Sequence, residues 1–214
     1  MPKRKPILFV LCGPSGSGKS TVARDLIANC PDLNLSISTT TRPPRKNEVD
    51  GREYYFVSRA EFEQRISKGE FIESAEFNGN LYGTGTNNVN AAEEQGKDLL
   101  FDIEVQGVLQ LKKRYGDSVV TIFVFPPTFA ELKKRLSGRG TESSEVIQSR
   151  LGIAEREVAQ LRSPEFSDYF LITGHPQRTL ERAQSIITVE RMRLKHVSPE
   201  LLAKCLDRKE NKPD

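Results

Sequence analysis

The chain has 214 residues, enough for one core domain with insertions or for two small domains, and 36% hydrophobic with 29% charged residues excludes a disordered chain. A net charge of +3, from 32 basic and 29 acidic side chains, is too balanced to mark a nucleic-acid binder. No apolar run approaches the ~20 residues of a membrane helix.

Cys12, Cys30 and Cys205 are odd in number and none has a CxxC spacing, which points to a reducing, cytoplasmic setting. The two histidines are far apart, which argues against a zinc site. The basic start Met1–Pro6 resembles the n-region of a signal peptide. The apolar run that follows is short, and it meets a glycine-rich loop instead of a small-residue cleavage site.

Ile7–Leu11 is continuously apolar, as a strand buried on both faces would be. Next comes Gly13-Pro14-Ser15-Gly16-Ser17-Gly18-Lys19-Ser20, which satisfies GxxxxGK[ST]. A helical pattern follows, with Val22, Ala23, Leu26 and Ile27 on one face. This strand–loop–helix context turns the motif into a phosphate loop. Its glycines let successive N–H groups converge, and the helix adds the positive end of its dipole. Lys19 is expected to reach the β- and γ-phosphates of a nucleoside triphosphate, and the Ser20 hydroxyl to ligate Mg²⁺.

From about residue 36 to 90 the pattern changes. Asp50-Gly51 and Asn78-Gly79 are turn dipeptides flanked by the β-prone pieces Glu53–Val57, Phe71–Phe77 and Leu81–Tyr82. This reads as a β-rich insertion. Within it, Arg42 and Arg45 stand three apart beside Pro43 and Pro44. That pair suits either a phosphate clamp or a solvated basic loop, and the local residues leave both open.

Buried-strand runs recur at Leu99–Ile103, Val119–Phe125 and Tyr169–Ile172, with helical patterns between them. The alternation predicts an α/β fold with a parallel sheet covered on both faces. Ser58-Arg59-Ala60-Glu61 and Thr128-Phe129-Ala130-Glu131 fit capping boxes that start helices. Residues 137–150 are polar and contain Gly138, Arg139 and Gly140. The later residues Leu180, Ala183, Ile186, Ile187, Leu201 and Leu202 predict helices that pack on the core or carry a dimer contact. Asn211-Lys212-Pro213-Asp214 matches a guanine-reading pattern of GTPases, but it ends a charged tail with no apolar strand before it, which reads as coincidence.

Taken together, GPSGSGKST, SISTTTRPPR, VDGREYYFV, GEFIESAEFNGNLYGT, LLFDIEVQG and LKKRLSGRGTES with a following SRL resemble the guanylate kinase family in order and spacing, over about residues 6–175. The resemblance implies a P-loop kinase of three parts. These are a core (1–35, 91–136 and 151–206), a GMP-binding insertion (36–90) and a helical lid (137–150), with a polar tail at 207–214. It implies ATP on Gly13 to Lys19, Ser20 and Thr21, and the GMP phosphate on Arg42, Arg45, Tyr54 and Tyr82. Ser38, Glu73 and Thr84 match positions that read guanine. An ionised carboxylate only accepts hydrogen bonds, and guanine offers N1–H and N2–H₂ side by side where adenine has a bare lone pair. On its own residues, Glu73 reads better as a solvent-facing carboxylate on an edge strand.

Asp102 ends a buried run, where open α/β sheets bind ligands, or where a charge simply meets solvent. It resembles a Walker B acid that organises Mg²⁺ through water and approaches GMP. Glu104 stands where the family often has Asp. Arg135, Arg139 and Arg150 match lid arginines that stabilise the transferring phosphoryl group, although spacing alone fits exposed helix arginines. After Tyr169–Ile172 the chain has Thr173-Gly174 in place of the family's Asn-Asp, where Thr173 would offer a hydroxyl to the adenine end. The expected reaction is ATP + GMP to ADP + GDP with Mg²⁺. The substrates are then ATP and GMP, with no nucleic-acid or membrane partner, in a monomer or homodimer. The alternatives are a non-catalytic guanylate-kinase-like binding module and a related small-molecule kinase such as a ribose-bisphosphate kinase.

Overall fold

The computed structural model describes residues 5–77, 79–103, 105–138, 144–161 and 166–206. In chain order its elements are β1 (Leu8–Cys12), α1 (Lys19–Asn29), β2 (Leu33–Leu35), β3 (Thr39–Thr40), β4 (Tyr55–Phe56), α2 (Arg59–Ser67), β5 (Phe71–Phe77), β6 (Asn80–Gly85), α3 (Thr86–Gln95), β7 (Asp98–Asp102), α4 (Val105–Tyr115), β8 (Val119–Phe125), α5 (Phe129–Ser137), α6 (Ser144–Gln160), β9 (Tyr169–Ile172), α7 (Pro176–Met192) and α8 (Pro199–Leu206).

Five strands form one sheet in the order β2-β7-β1-β8-β9, every neighbouring pair parallel. The continuous apolar run of β1 has the physical reason anticipated for it. Successive side chains point to opposite faces, and both faces are covered. Leu8, Val10 and Cys12 join one core with Val105, Val108 and Leu111 of α4 and Leu132 and Leu136 of α5. Phe9 and Leu11 join a second core with Val22 and Leu26 of α1 and Ala183 and Ile187 of α7. Each fully buried Leu, Ile or Phe of these cores contributes about 1.5–3 kcal/mol. The sheet is also pinned by a buried carboxylate. Asp98 Oδ1 accepts from Ile7 N–H at 2.9 Å, and its Oδ2 accepts from Arg191 Nε of α7 at 2.7 Å.

A second sheet, β4-β3-β6-β5, is mostly antiparallel and lies over a small core of Phe62, Phe71 and Leu81. The Phe62 and Phe71 rings stack with centroids 4.4 Å apart. Gly79, at φ 75°, takes the left-handed turn between β5 and β6. At both expected helix starts the N-cap hydroxyl takes up a backbone N–H of the first turn. Ser58 Oγ accepts from Glu61 N–H at 3.2 Å, and Thr128 Oγ1 accepts from Glu131 N–H at 3.1 Å.

Two differences from the sequence expectations stand out. β2 and β3 are strands that were not anticipated, because three and two residues give no readable period. α8 does not pack on the core: none of its residues is buried, and Leu206 is 79% exposed. Glu104, Arg139 and the tail 207–214, with its NKxD pattern, lie outside the described residues. Among the described residues, no helix is long and apolar enough to cross a membrane, and all three cysteines are free thiols.

Candidate active site

The phosphate loop follows β1, the central strand, whose neighbours β7 and β8 lie on either side. That is the switch point where open parallel sheets leave a crevice at their carboxyl ends. Gly13 at φ 127° packs so tightly that any Cβ would collide with the Val124 carbonyl, and Gly18 at φ 102° delivers the chain into α1. Lys19 Nζ donates to the Gly13 and Pro14 carbonyls at 2.5 and 3.3 Å, which folds the ammonium back over the loop. The parallel register sets Leu11 beside Asp102. Ser20 Oγ, in the first turn of α1, donates to Asp102 Oδ2 at 2.8 Å. A hydroxyl and a carboxylate at hydrogen-bond distance are hard oxygen donors, fitted to Mg²⁺ that keeps waters and phosphate oxygens as its other ligands.

The loop forms one wall of a cleft of about 360 Å³. The opposite wall comes from the second sheet and the segment before β4: Ser38, Arg42, Arg45, Tyr54, Glu73 and Tyr82. Arg42 is the better fixed of the two arginines. Its Nη2 meets both oxygens of Glu48 at 2.9 Å, and its guanidinium lies 5.4 Å from the Tyr54 ring centroid. Arg45 is exposed, and its backbone N–H donates to Glu48 Oε2 at 2.8 Å. Burial works to raise the pKa of Glu48, but the Arg45 N–H and the Arg42 guanidinium outweigh it and hold the carboxyl below its usual range. Burial, and then the charge of Asp102, push the Tyr54 hydroxyl up to about 12, so it stays a donor.

Deeper in this wall, Glu73 on β5 faces Thr84 on β6 directly across the antiparallel pair. Thr84 Oγ1 donates to Glu73 Oε1 at 2.7 Å and lies 3.2 Å from Ser38 Oγ. With its proton given to the carboxylate, Thr84 accepts from Ser38. Glu73 is 5% exposed, and burial pushes its carboxyl up to about 7, against the opposing pull of the Thr84 hydrogen bonds.

The expected arginines do not gather in one place. Arg150 of α6 lines the cleft and donates to Ser15 Oγ at 2.9 Å, which ties α6 to the phosphate loop. Arg135 of α5 instead lines a second hollow of about 130 Å³ on the other side of Gly18 and Thr21. There its Nη1 donates to Thr173 Oγ1 at 2.9 Å and to the Ser17 carbonyl at 3.3 Å, and its Nε to Glu131 at 3.1 Å. Thr173 itself donates to the Ser17 carbonyl at 2.7 Å. Its hydroxyl thus accepts from Arg135 and donates to Ser17, and Thr173 lines the same hollow. Gly13, Ser17 and Thr84 stand behind the cleft wall, and Gly16, Gly18, Lys19, Ser20, Thr21, Tyr82 and Asp102 are part of it.

Sequence reasoning missed Glu48, Asn80 and Gly107. Asn80 lines the cleft. Glu48 had a signal, an acid three residues after Arg45 and six after Arg42, whose field it balances.

Two anion-seeking arrays facing one another across a single cleft, with a hard-oxygen pair at its floor, suit transfer of a phosphoryl group between two bound partners, and the fold with this site is that of a P-loop nucleotide kinase. The model of the Guanylate kinase family matches residues 3–189, and the chain belongs to that family. It is 43% identical over 198 residues to the guanylate kinase of Syntrophotalea carbinolica, covering 92% of each chain. The guanylate kinase of Geobacter metallireducens is 41% identical over 191 residues, 89% of this chain and 92% of that one. A crystal structure of guanylate kinase from Anaplasma phagocytophilum matches over 100% of both chains with a TM-score of 0.79 at 31% identity.

Proposed function

We propose that this guanylate kinase moves the terminal phosphoryl group of ATP, held with Mg²⁺, onto the phosphate of GMP, giving ADP and GDP. The observation that carries the acceptor assignment is the buried Glu73–Thr84–Ser38 array in the same cleft as the phosphate loop. A carboxylate there accepts from guanine N1–H and N2–H₂, and the two hydroxyls serve O6 or the amino group. Arg42, Arg45, Tyr54 and Tyr82 stand at the cleft's other anion-binding wall and suit the GMP phosphate.

The phosphate loop takes the triphosphate, with Lys19 swinging from its carbonyl partners to the β- and γ-oxygens. The Ser20 hydroxyl and, through water, Asp102 would hold Mg²⁺, which supplies neutralisation of the charge shared by the β- and γ-phosphates. A phosphate oxygen of GMP attacks the γ-phosphorus, a new P–O bond forms, and the bond to the β–γ bridging oxygen breaks to release ADP. The acceptor oxygen is already anionic, so no general base is required. Catalysis is positioning and charge stabilisation. Arg150 reaches the cleft from α6, and with Arg139 it would complete the charge cage when residues 137–150 close over the nucleotides. Arg135 and the hollow beyond Gly18 suit the nucleoside end of ATP. Residues 36–90 act as the acceptor-binding unit on a core of the remaining elements. The free thiols fit a reducing compartment.

The test is a coupled assay with ATP and each of GMP, AMP, CMP and UMP. The expected outcome is a kcat/KM for GMP larger than for AMP by about 10⁴ or more. Comparable turnover of AMP would overturn the acceptor assignment.

A further inference from the structure

We infer that one face of α4, carrying Gly107, Gln110 and Arg114, sets the position of Glu73, so that Gly107 and Gln110 are positioning residues for acceptor specificity. This rests on the reading of Glu73 as the guanine-binding group.

The three residues follow helical spacing, i, i+3 and i+7, and so share one side of α4. Each meets β5, the edge strand of the second sheet. Gln110 Nε2 donates to the Ser74 carbonyl at 3.0 Å, and its Oε1 accepts from Ser74 N–H at 3.2 Å. The side-chain amide thus fills both outward backbone positions of the residue next to Glu73, as a neighbouring strand would. Arg114 Nη1 donates to the Phe71 carbonyl at 3.4 Å, two residues on the other side.

Gly107 is buried and stands behind the carboxylate. A Cβ there would lie 2.7 Å from Glu73 Oε2 and 3.1 Å from Ile103 Cδ1. Glu73 Oε1 is already held by Thr84, so a methyl at 107 has to push the carboxylate off that hydrogen bond or push α4 off β5. The hydrogen of glycine is what lets the helix back directly onto the carboxylate. Because α4 begins three residues after Asp102, the same helix fixes the spacing between the guanine end of the cleft and its metal-binding floor.

The experiment measures kcat and KM for GMP and AMP, with ATP saturating, and KM for ATP, in five variants: Gly107→Ala, Glu73→Asp, the two combined, Gln110→Ala and Glu73→Gln. Gly107→Ala is expected to raise KM for GMP by about tenfold and to cut the GMP/AMP ratio similarly, with KM for ATP within about twofold. In a Glu73→Asp background the same substitution is expected to cost less, because the shorter side chain has withdrawn from the methyl; such coupling distinguishes positioning from general damage. Equal costs in the two backgrounds, or an unchanged GMP/AMP ratio in Gly107→Ala, would overturn the inference. Should Gly107→Ala fail to fold, Gln110→Ala at an exposed position decides. It is expected to raise KM for GMP about threefold or more and spare KM for ATP, and parallel changes in both would overturn the inference. Glu73→Gln is the control. If that variant keeps full GMP selectivity, the guanine-reading role itself fails. If it loses selectivity while Gly107 and Gln110 variants do not, only the role of α4 fails.

Discussion

Thr84 Oγ1 donates to Glu73 Oε1 at 2.7 Å because the two residues sit directly opposite in the β5–β6 register. The donor fixes one carboxylate oxygen and leaves the other to a ligand. Burial raises the pKa of Glu73, and the Thr84 hydrogen bonds oppose it.

Glu73→Gln removes the charge and replaces one acceptor with a donor that faces guanine's own donors. Selectivity for GMP over AMP should fall by about 10²-fold or more, while KM for ATP stays near wild type. Steady-state kinetics with both acceptors checks this, and unchanged selectivity would sink the role of the carboxylate.

The raised pKa of Glu73 gives a pH signature. Below about 7 the carboxyl is protonated and presents a donor where guanine needs acceptors; above it, the ionised form accepts. KM for GMP should therefore fall as pH rises through about 7, and GMP binding there should release protons. In the ligand-free protein the sign runs the other way. Its folded pKa lies above the ordinary glutamate value, so the folded state binds more protons between the two values and Glu73's contribution to stability is lost as pH rises. Calorimetry in two buffers of different ionisation enthalpy measures the proton release, and a KM for GMP flat from pH 6 to 8 would contradict it.

Glu48 holds Arg42 and Arg45 together. Glu48→Ala should raise KM for GMP by about tenfold with a smaller effect on kcat, because it frees the two cations without removing them. Since the carboxyl is held below its usual range, its stabilising contribution is present above the unfolded pKa and disappears as pH falls through the folded one. An unaltered KM for GMP in this variant would show that Arg42 needs no such support.

Thr173→Val keeps the shape and deletes the hydroxyl between Arg135 and the Ser17 carbonyl. Arg135 Nη1 and the Ser17 carbonyl still meet at 3.3 Å, so the loss is that of ordinary hydrogen bonds, about 0.5–1.5 kcal/mol each. The melting temperature should fall and KM for ATP rise, with KM for GMP little changed. By contrast Lys19→Ala should abolish turnover without a comparable loss of melting temperature. Substantial activity in that variant would be incompatible with the phosphate-loop role.

The sequence showed the parallel sheet and the loop because their signals are local and physically forced. A strand buried on both faces has to be apolar throughout, and a backbone that converges on phosphate has to be glycine-rich. It did not show β2 or β3, which owe their strand character to neighbours, Leu33–Leu35 to β7 and Thr39–Thr40 to β6. The cleft was legible through Arg42 and Glu73 only in company with other motifs. Neither residue has a local pattern that separates it from an exposed charge. Gly107 was hidden because its significance lies in what approaches it in space. Arg135 was placed with the other arginines by order in the chain, yet α5 carries it to the far side of Gly18.

The Ile7 N–H finds its acceptor, Asp98 Oδ1, 91 residues further along the chain. Synthesis therefore produces the central strand first and completes its surroundings last. Leu8 meets Leu99 of β7 only 91 residues later and Val119 of β8 111 residues later, and Arg191 of α7 closes the Asp98 cluster later still. Until then Leu8–Cys12 is an apolar strand with two open edges, the kind of segment that pairs with the wrong chain. The β5–β6 hairpin needs only its own turn and forms from neighbours. The β5–β6 hairpin is thus built locally during translation, and the sheet around β1 waits for strands and a helix made much later.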